Sequence, residues 1–348
     1  MKKRLCAAVC ACVMLLGGVT ACKKTPQKFS AYSFDYFDTQ TVITGYADCQ
    51  EDFDTVADAI LEQLGEYHRL YNVYLRYEGM ENLCTINELV DGAHRTVTVD
   101  RRIIDLLLYA KEMYRQTDGV MNVAMGSVLK LWHDHRAVGT DSPADATLPP
   151  MERLKEAAQH TDIDRMVIDE AACTVTLTDP AMRLDVGAIA KGYAVERVAR
   201  RMEQDGITGY VLNVGGNVRT VGARDDGEPW TAGIENPDGN ADDPYFALVS
   251  LAGESLVTSG SYQRYYVVDG KPYHHIIDPE TLMPSEGFVS VSVLTKSSAD
   301  GDALSTALFC MSEEDGLALV ESLEGVEALW VLSDGTRVES SGFSAYTK

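Results

Sequence analysis

The stretch Arg183–Met202, RLDVGAIAKGYAVERVARRM, constrains the fold more than any other. It opens with a short apolar run that reads as a strand stopping at Asp185. A glycine turn follows at Gly187, then Ala188-Ile189-Ala190 and Lys191-Gly192. From there Ala190, Ala194, Val195, Val198 and Met202 fall at helical spacing, which predicts a helix. A strand passing through small residues into a helix leaves backbone N–H groups pointing out of the helix start. That is a ready anion site, and Lys191 sets a point charge beside it. Asp185 sits where a ribose or a ring N–H would be met. Taken alone, the corner reads equally as a phosphate site or as simple packing.

The N-terminus carries a second signal. Met1-Lys2-Lys3-Arg4 is basic, and the apolar run from Leu5 to Val19 is too short for a comfortable membrane span, so it reads as a signal peptide. Val19-Thr20-Ala21-Cys22 resembles the bacterial lipobox. This predicts a leader over 1–21, a lipid-modified Cys22 and an exported chain held on the outer face of the cytoplasmic membrane or in the periplasm. An ordinary signal peptide with an incidental cysteine is the alternative. The whole chain has a formal charge of -23, and removing the leader leaves 27 bases against 53 acids, or -26. A surface that acidic repels nucleic acid and anionic lipid, which excludes nucleic-acid binding and leaves membrane attachment to the lipid. Cys6, Cys10 and Cys12 leave with the signal. Cys49, Cys84, Cys173 and Cys310 are widely spaced without a CxxC pair, so they read as isolated apolar positions rather than a disulfide framework or a zinc site. A bridge between two of them stays open.

Residues 22–33 read as a polar tether, and Phe34–Ala47 as a first strand. Phe53, Val56, Ala57, Ile60, Leu64, Tyr67 and Tyr71 repeat every three or four residues, an amphipathic helix. The tyrosine-rich segment 71–88 reads as an ordered loop over a ligand or over the core. Asp100 caps a helix over Arg101–Gln116 that Gly119 stops. Thr117–Trp132 is poor in charge; it suits core packing, or an apolar, methionine-containing wall for a flat aromatic ligand. Residues 139–150 are a surface linker and the best place for an internal boundary. A short helix and a hairpin around 166–169 and 174–178 come next. Strands are expected over Gly209–Val214, Tyr245–Leu251, Val289–Leu294 and Ala328–Leu332. Hairpin turns are expected at Asp269-Gly270 and Asp334-Gly335, and helices from the SSADGDALSTAL segment and through Glu321. No internal repeat appears. The reading is one large α+β domain over 34–348, mostly antiparallel sheet with packed helices.

Asp302, Ser305 and Thr306 lie at i, i+3 and i+4, on one face near a helix start. A carboxylate with two hydroxyls and nearby carbonyls is an oxygen-only set that suits Mg²⁺ rather than zinc. The bland reading makes Asp300 or Asp302 a helix cap. His274-His275 precede Ile276-Ile277-Asp278-Pro279, where a histidine serves as a general base or is held in place structurally. Thr258-Ser259-Gly260-Ser261 and Arg264 form a polar cluster suited to the same cleft. GxSxG, P-loop and HExxH motifs are absent from the sequence.

Seven stretches, TDGVMNVAMGSVLKLW, LDVGAIAKGYAVERVA, LNVGGNV, WTAGIENP, TSGSYQRYY, HHIIDPETLMP and DALSTAL, occur in an order that resembles the ApbE family, from about Phe34 to Met311. These are FAD:protein FMN transferases, many of them exported lipoproteins. The resemblance implies a T-fold-related fold with FAD in a cleft and Mg²⁺ at its diphosphate. It also implies transfer of FMN to a threonine hydroxyl of a partner, a flavoprotein subunit of an extracytoplasmic electron-transfer system, with release of AMP. By motif, Asp185 and Lys191 contact FAD, and Ala188 gives a backbone oxygen to Mg²⁺. Asp302, Ser305 and Thr306 complete the metal site. Val120, Met121, Asn122 and Ile276 line the nucleotide cleft, Phe37 stands where many relatives carry methionine, and His275 takes the acceptor's proton. Three departures are expected to matter: Asn122 where many relatives have Asp, ETLMPSE in place of a TG-x-P turn, and the tyrosine-rich segment. An FAD pyrophosphatase and a non-catalytic FAD-binding lipoprotein are the rival readings.

Overall fold

The computed structural model describes residues 25–348 apart from 91, 240 and 241. The leader, Cys22 and the start of the tether lie outside the described residues. Where the sequence predicts the rest of the tether, the chain forms β1 (Gln27–Ser33), antiparallel to β2 (Thr41–Ala47) with Gln27 opposite Ala47. The cause is a short alternation inside a polar stretch: Phe29 and Ala31 point one way and pack on the core. The single strand expected over Phe34–Ala47 therefore starts only at Thr41. Residues 34–40 are a turn in which Phe37 and Asp38 take left-handed backbone, φ 57° and 51°.

The chain continues through α1 (Gln50–Tyr71), α2 (Leu83–Ile86) and three two-residue strands, β3 (Leu89–Val90), β4 (Ala93–His94) and β5 (Val97–Thr98). Helices α3 (Arg101–Gln116), α4 (Gly126–Asp141) and α5 (Met151–Ala157) precede the hairpin β6 (Met166–Asp169) and β7 (Thr174–Leu177), then α6 (Ala190–Gln204). The second half holds β8 (Tyr210–Val214), β9 (Asn217–Val221), β10 (Trp230–Glu235), β11 (Tyr245–Leu251), β12 (Ser255–Gly260), β13 (Tyr265–Val268), β14 (Lys271–His274) and β15 (Phe288–Thr295). It ends with α7 (Ser298–Cys310), α8 (Glu313–Ser322), β16 (Glu327–Leu332) and β17 (Arg337–Glu339).

One eight-stranded antiparallel sheet, in the order β1-β2-β8-β9-β12-β15-β16-β17, carries the architecture. Period-two alternation loads both faces. Val291, Val293, Ala328 and Trp330 face the layer of α1, α6 and α7, while Leu294, Leu329 and Val331 meet Ile234, Val249 and Phe343 on the other side. A third cluster joins α4 and α5 to the β13–β14 hairpin through Val128, Trp132, Leu154 and Tyr266. The expected boundary at 139–150 is absorbed here: α4 runs to Asp141, Gly139 lies under the Tyr266 ring and Leu148 packs on the cluster. The α+β, mostly antiparallel reading holds. Cys49, Cys84, Cys173 and Cys310 are free thiols.

The run into Asp185 is not a strand. Arg183 makes a single parallel bridge to Met125. The Leu184 backbone is taken at both ends by the Asn87 side chain, at 2.7 and 2.9 Å, and the Asp185 N–H goes to the Val123 carbonyl. A side chain 97 positions away thus does the work of a neighbouring strand.

Candidate active site

Helix α7 is buried almost all round, so any polar side chain on it must find a partner inside the molecule. Its N-cap is Ser297, whose hydroxyl accepts from the Asp300 N–H, so Asp302 is not the cap. Asp302 is 3% exposed and faces the start of α6. One carboxylate oxygen accepts the Gly192 N–H at 2.7 Å and the other accepts Lys191 Nζ at 3.1 Å. Glycine is required at this approach: a Cβ on Gly192 lies 2.2 Å from the Ser298 carbonyl and 2.4 Å from Asp302 Cβ. Because the Gly192 N–H goes to Asp302, no hydrogen bond among the described residues takes the Ala188 carbonyl into the helical ladder.

These groups stand on the wall of a cleft of about 1240 Å³. Phe37, Val120, Met121, Asn122, Asp185, Ala188, Lys191, His275, Ile276, Asp302 and Thr306 all line it. Ser305 does not: it is fully buried, donates to its own helix at the Asp302 carbonyl and shares a hydrogen bond with Ser259 at 2.9 Å. The helical spacing that groups it with Asp302 and Thr306 places it one step behind the wall. Thr258, Ser259 and Arg264 of the polar cluster do reach the cleft.

His275 is fixed by one carbonyl. Its backbone N–H and its ring Nδ1 both meet the Arg264 oxygen at 3.1 Å. A carbonyl only accepts, so Nδ1 carries the hydrogen and Nε2 keeps its lone pair. Burial, then the positive charges of Arg264 and Arg136, lower this imidazole to about 3, so it is neutral at physiological pH. The Arg264 guanidinium reaches on to the Phe37 and Asp38 carbonyls at 3.2 and 3.0 Å. From the other side the Phe37 N–H donates to His68 Nδ1 at 3.1 Å, and burial lowers His68, keeping it an acceptor. The left-handed turn at the cleft mouth is therefore pinned between an arginine and a histidine.

Asp185 closes its own turn by accepting the Gly187 N–H at 2.8 Å and meets the Tyr74 hydroxyl at 3.4 Å. Tyr74 stacks on His133, ring centroids 4.4 Å apart, and Arg136 stands beside it on the wall. Sequence reasoning assigns nothing to Tyr74, His133 or Arg136. The spacing of His133 and Arg136 along α4 was the available signal, and it resembles any solvated helix face. Asn122 spends both ends of its amide locally, donating to the Thr161 carbonyl and accepting the Ala124 N–H, each at 2.9 Å. An aspartate has no proton for the first of these, so the amide shapes the wall as well as removing a charge. In ETLMPSE, Leu282 takes φ 62°, and its carbonyl accepts Trp132 Nε1 at 3.0 Å.

The arrangement offers a neutral imidazole with a free lone pair, a cationic helix start and an oxygen-rich corner in one cleft. A model of the ApbE family matches residues 37–330. The FAD:protein FMN transferase of Klebsiella pneumoniae (strain 342) is 33% identical over 286 residues, spanning 78% of this chain and 84% of the relative. That of Treponema pallidum (strain Nichols) is 35% identical over 259 residues, spanning 70% and 69%. The crystal structure of the ApbE protein from Thermotoga maritima superposes with a TM-score of 0.79 at 29% identity, over 92% of this chain and all of that one. The flavin transferase ApbE from Vibrio cholerae gives 0.75 at 26% identity, over 92% and 99%.

Proposed function

The chain belongs to the ApbE family, and on that premise we propose that it is an FAD:protein FMN transferase whose reaction centre lies between His275 and the Asp302–Lys191 corner. The observation that carries the reading is that His275, Lys191, and the α7 pair Asp302 and Thr306, from three separate stretches, line one cleft.

The acceptor threonine hydroxyl gives its proton to Nε2 of His275, while Nδ1–H stays on the Arg264 carbonyl and holds the ring's tautomer and angle. The threonine oxygen bonds to the FMN-side phosphorus of FAD, the bond from that phosphorus to the bridging oxygen breaks, and AMP leaves. Lys191, on the cleft wall beside Asp302, would offset negative charge on the diphosphate. An anion entering the cleft also opposes Arg264 and Arg136, raising the His275 pKa toward a value better suited to a base.

The donor chemistry fits a hard cation: the Asp302 carboxylate, the Thr306 hydroxyl and the Ala188 carbonyl left out of the helix are all oxygens. These residues would hold Mg²⁺, with Ser305 supporting the Asp302 backbone, and the ion supplies neutralisation of charge on the diphosphate. Asp185 and Tyr74 form the wall toward the nucleotide, and Phe37, Val120, Met121, Asn122 and Ile276 complete it. The acceptor is a flavoprotein subunit of an electron-transfer system outside the cytoplasm. The basic start, the apolar run and Cys22 support a lipid tether that presents the cleft there.

The test is the intact mass of a flavin-acceptor domain after incubation with the chain, FAD and Mg²⁺. A gain of one FMN, lost with EDTA, with Asp302→Ala and with His275→Ala, is the expected result. Loss of a general base costs about 10²–10⁴-fold in rate. Release of FMN and AMP without labelling overturns transfer in favour of hydrolysis, and FAD retained intact leaves only a carrier.

A further inference from the structure

We propose that Glu196 is a positioning residue of this reaction: it locks the first turn of α7 onto α6 and so sets Asp302 against Lys191 and Gly192. The inference rests on the transferase reading and concerns a residue that does not line the cleft.

Glu196 lies one helical turn beyond Gly192 on α6 and is 4% exposed. Its Oε2 accepts the N–H of Ser298, the first residue of α7, at 2.8 Å, and Nε of Arg219 at 3.1 Å. Its Oε1 accepts Nε of Arg200 at 2.7 Å. Arg219, itself 3% exposed, is held in turn by the Gly253 carbonyl at 2.9 Å and by Glu203 at 2.8 Å. The two helices are therefore pinned at two points one turn apart, Gly192 to Asp302 and Glu196 to Ser298, where Gly192 lets the backbones meet. Packing and the Ser305–Ser259 hydrogen bond hold the body of α7, and the two pins fix the register of its first turns against α6. A carboxylate buried in an ion network gains little stability over apolar packing, so its charge is better explained by the specific position it enforces. The Ser298 N–H is one of the donors a helix start leaves without an internal partner, and Glu196 is the group that takes it.

Mn²⁺ binding, read from the loss of the free aquo-ion's EPR signal, reports the corner without requiring turnover. Glu196→Ala is expected to weaken Mn²⁺ binding about tenfold, the usual scale for a residue that orients a metal ligand. Glu196→Gln keeps an oxygen for the Ser298 N–H and is expected to stay within about threefold of the parent even where it melts earlier. Ser298→Pro removes the donor at a helix position where proline is tolerated, and its ring methylene also displaces the Glu196 carboxylate that lay 2.8 Å from the nitrogen. It is therefore expected to weaken Mn²⁺ binding at least as much as Glu196→Ala. That variant carries the test if Glu196→Ala does not fold. Arg200→Ala, at the exposed end of the network, is the control expected to leave Mn²⁺ binding unchanged. Parent-like affinity in folded Ser298→Pro, or a Glu196→Gln as weak as Glu196→Ala, overturns the proposal. A parent chain that binds Mn²⁺ but labels no acceptor overturns the transferase reading and leaves the two-point pin standing as a metal-positioning device.

Discussion

At His275 the Nδ1–H is committed to the Arg264 carbonyl, so only Nε2 is left to exchange a proton. Its depressed pKa has a definite consequence for pH dependence. As the proposed base it would work unprotonated, and kcat/KM for FAD reports the free enzyme, in which burial and two arginines hold His275 at about 3. The acid limb of kcat/KM for FAD, with acceptor saturating, is therefore expected below pH 5, with a flat profile from pH 6 to 8. A limb near 6.5, the ordinary histidine value, would show that His275 is solvated in the working enzyme or is not the base. Leu282 poses a different question of competing magnitudes. Its left-handed backbone costs about 1–2 kcal/mol, yet the side chain is 7% exposed and contributes about 1.5–3 kcal/mol by burial. Burial wins, and glycine also loses more chain entropy on folding. Leu282→Gly is expected to destabilise by about 1 kcal/mol in urea unfolding, although glycine relieves the turn.

Among the elements, α6 shows the same contest more sharply. In an exposed helix, Gly→Ala stabilises by up to about 1 kcal/mol. At Gly192 the added Cβ meets the Ser298 carbonyl at 2.2 Å, backbone against backbone, with no flexible tip to move aside. Gly192→Ala is expected to lower stability by about 1–3 kcal/mol and to weaken Mn²⁺ binding, because α7 must back away from the N–H that holds Asp302. A stabilised, metal-competent variant would show that the contact is loose. This corner also shows what a sequence discloses. The helices starting near Ala190, Arg101 and Ser298 were legible because caps and apolar spacing are local. The strand into Asp185 was misread because its backbone partners are Asn87 and Val123, distant in sequence. β1 was missed because two apolar residues in a polar stretch become a strand only once β2 offers an edge. Tyr74, His133 and Arg136 carry no motif, and only the folding of α4 against the tyrosine-rich loop makes them a wall.

For the whole molecule the charge decides how it meets a membrane. No helix among the described residues is long and apolar enough to cross one, and residues 22–348 carry a formal charge of -26. A surface of that sign is repelled by anionic headgroups, and the repulsion reaches only about 8–10 Å at physiological salt. A lipid on Cys22 would therefore have no electrostatic second signal from the body of the chain, only Lys23, Lys24 and Lys28 of the adjoining segment, and a single short acyl chain gives only marginal binding. On the lipobox reading, the acylated cysteine would supply most of the affinity. Expressed with its own leader, the parent chain is expected in the membrane fraction at both low and high salt, released by detergent alone. Cys22→Ser is expected to move it wholly to the soluble fraction while FMN transfer to a soluble acceptor is unchanged, since the cleft is built from residues 37 onward. Membrane retention of Cys22→Ser that high salt abolishes would expose a basic surface patch that the charge balance hides. Retention that salt does not touch would instead make the apolar run an uncleaved anchor.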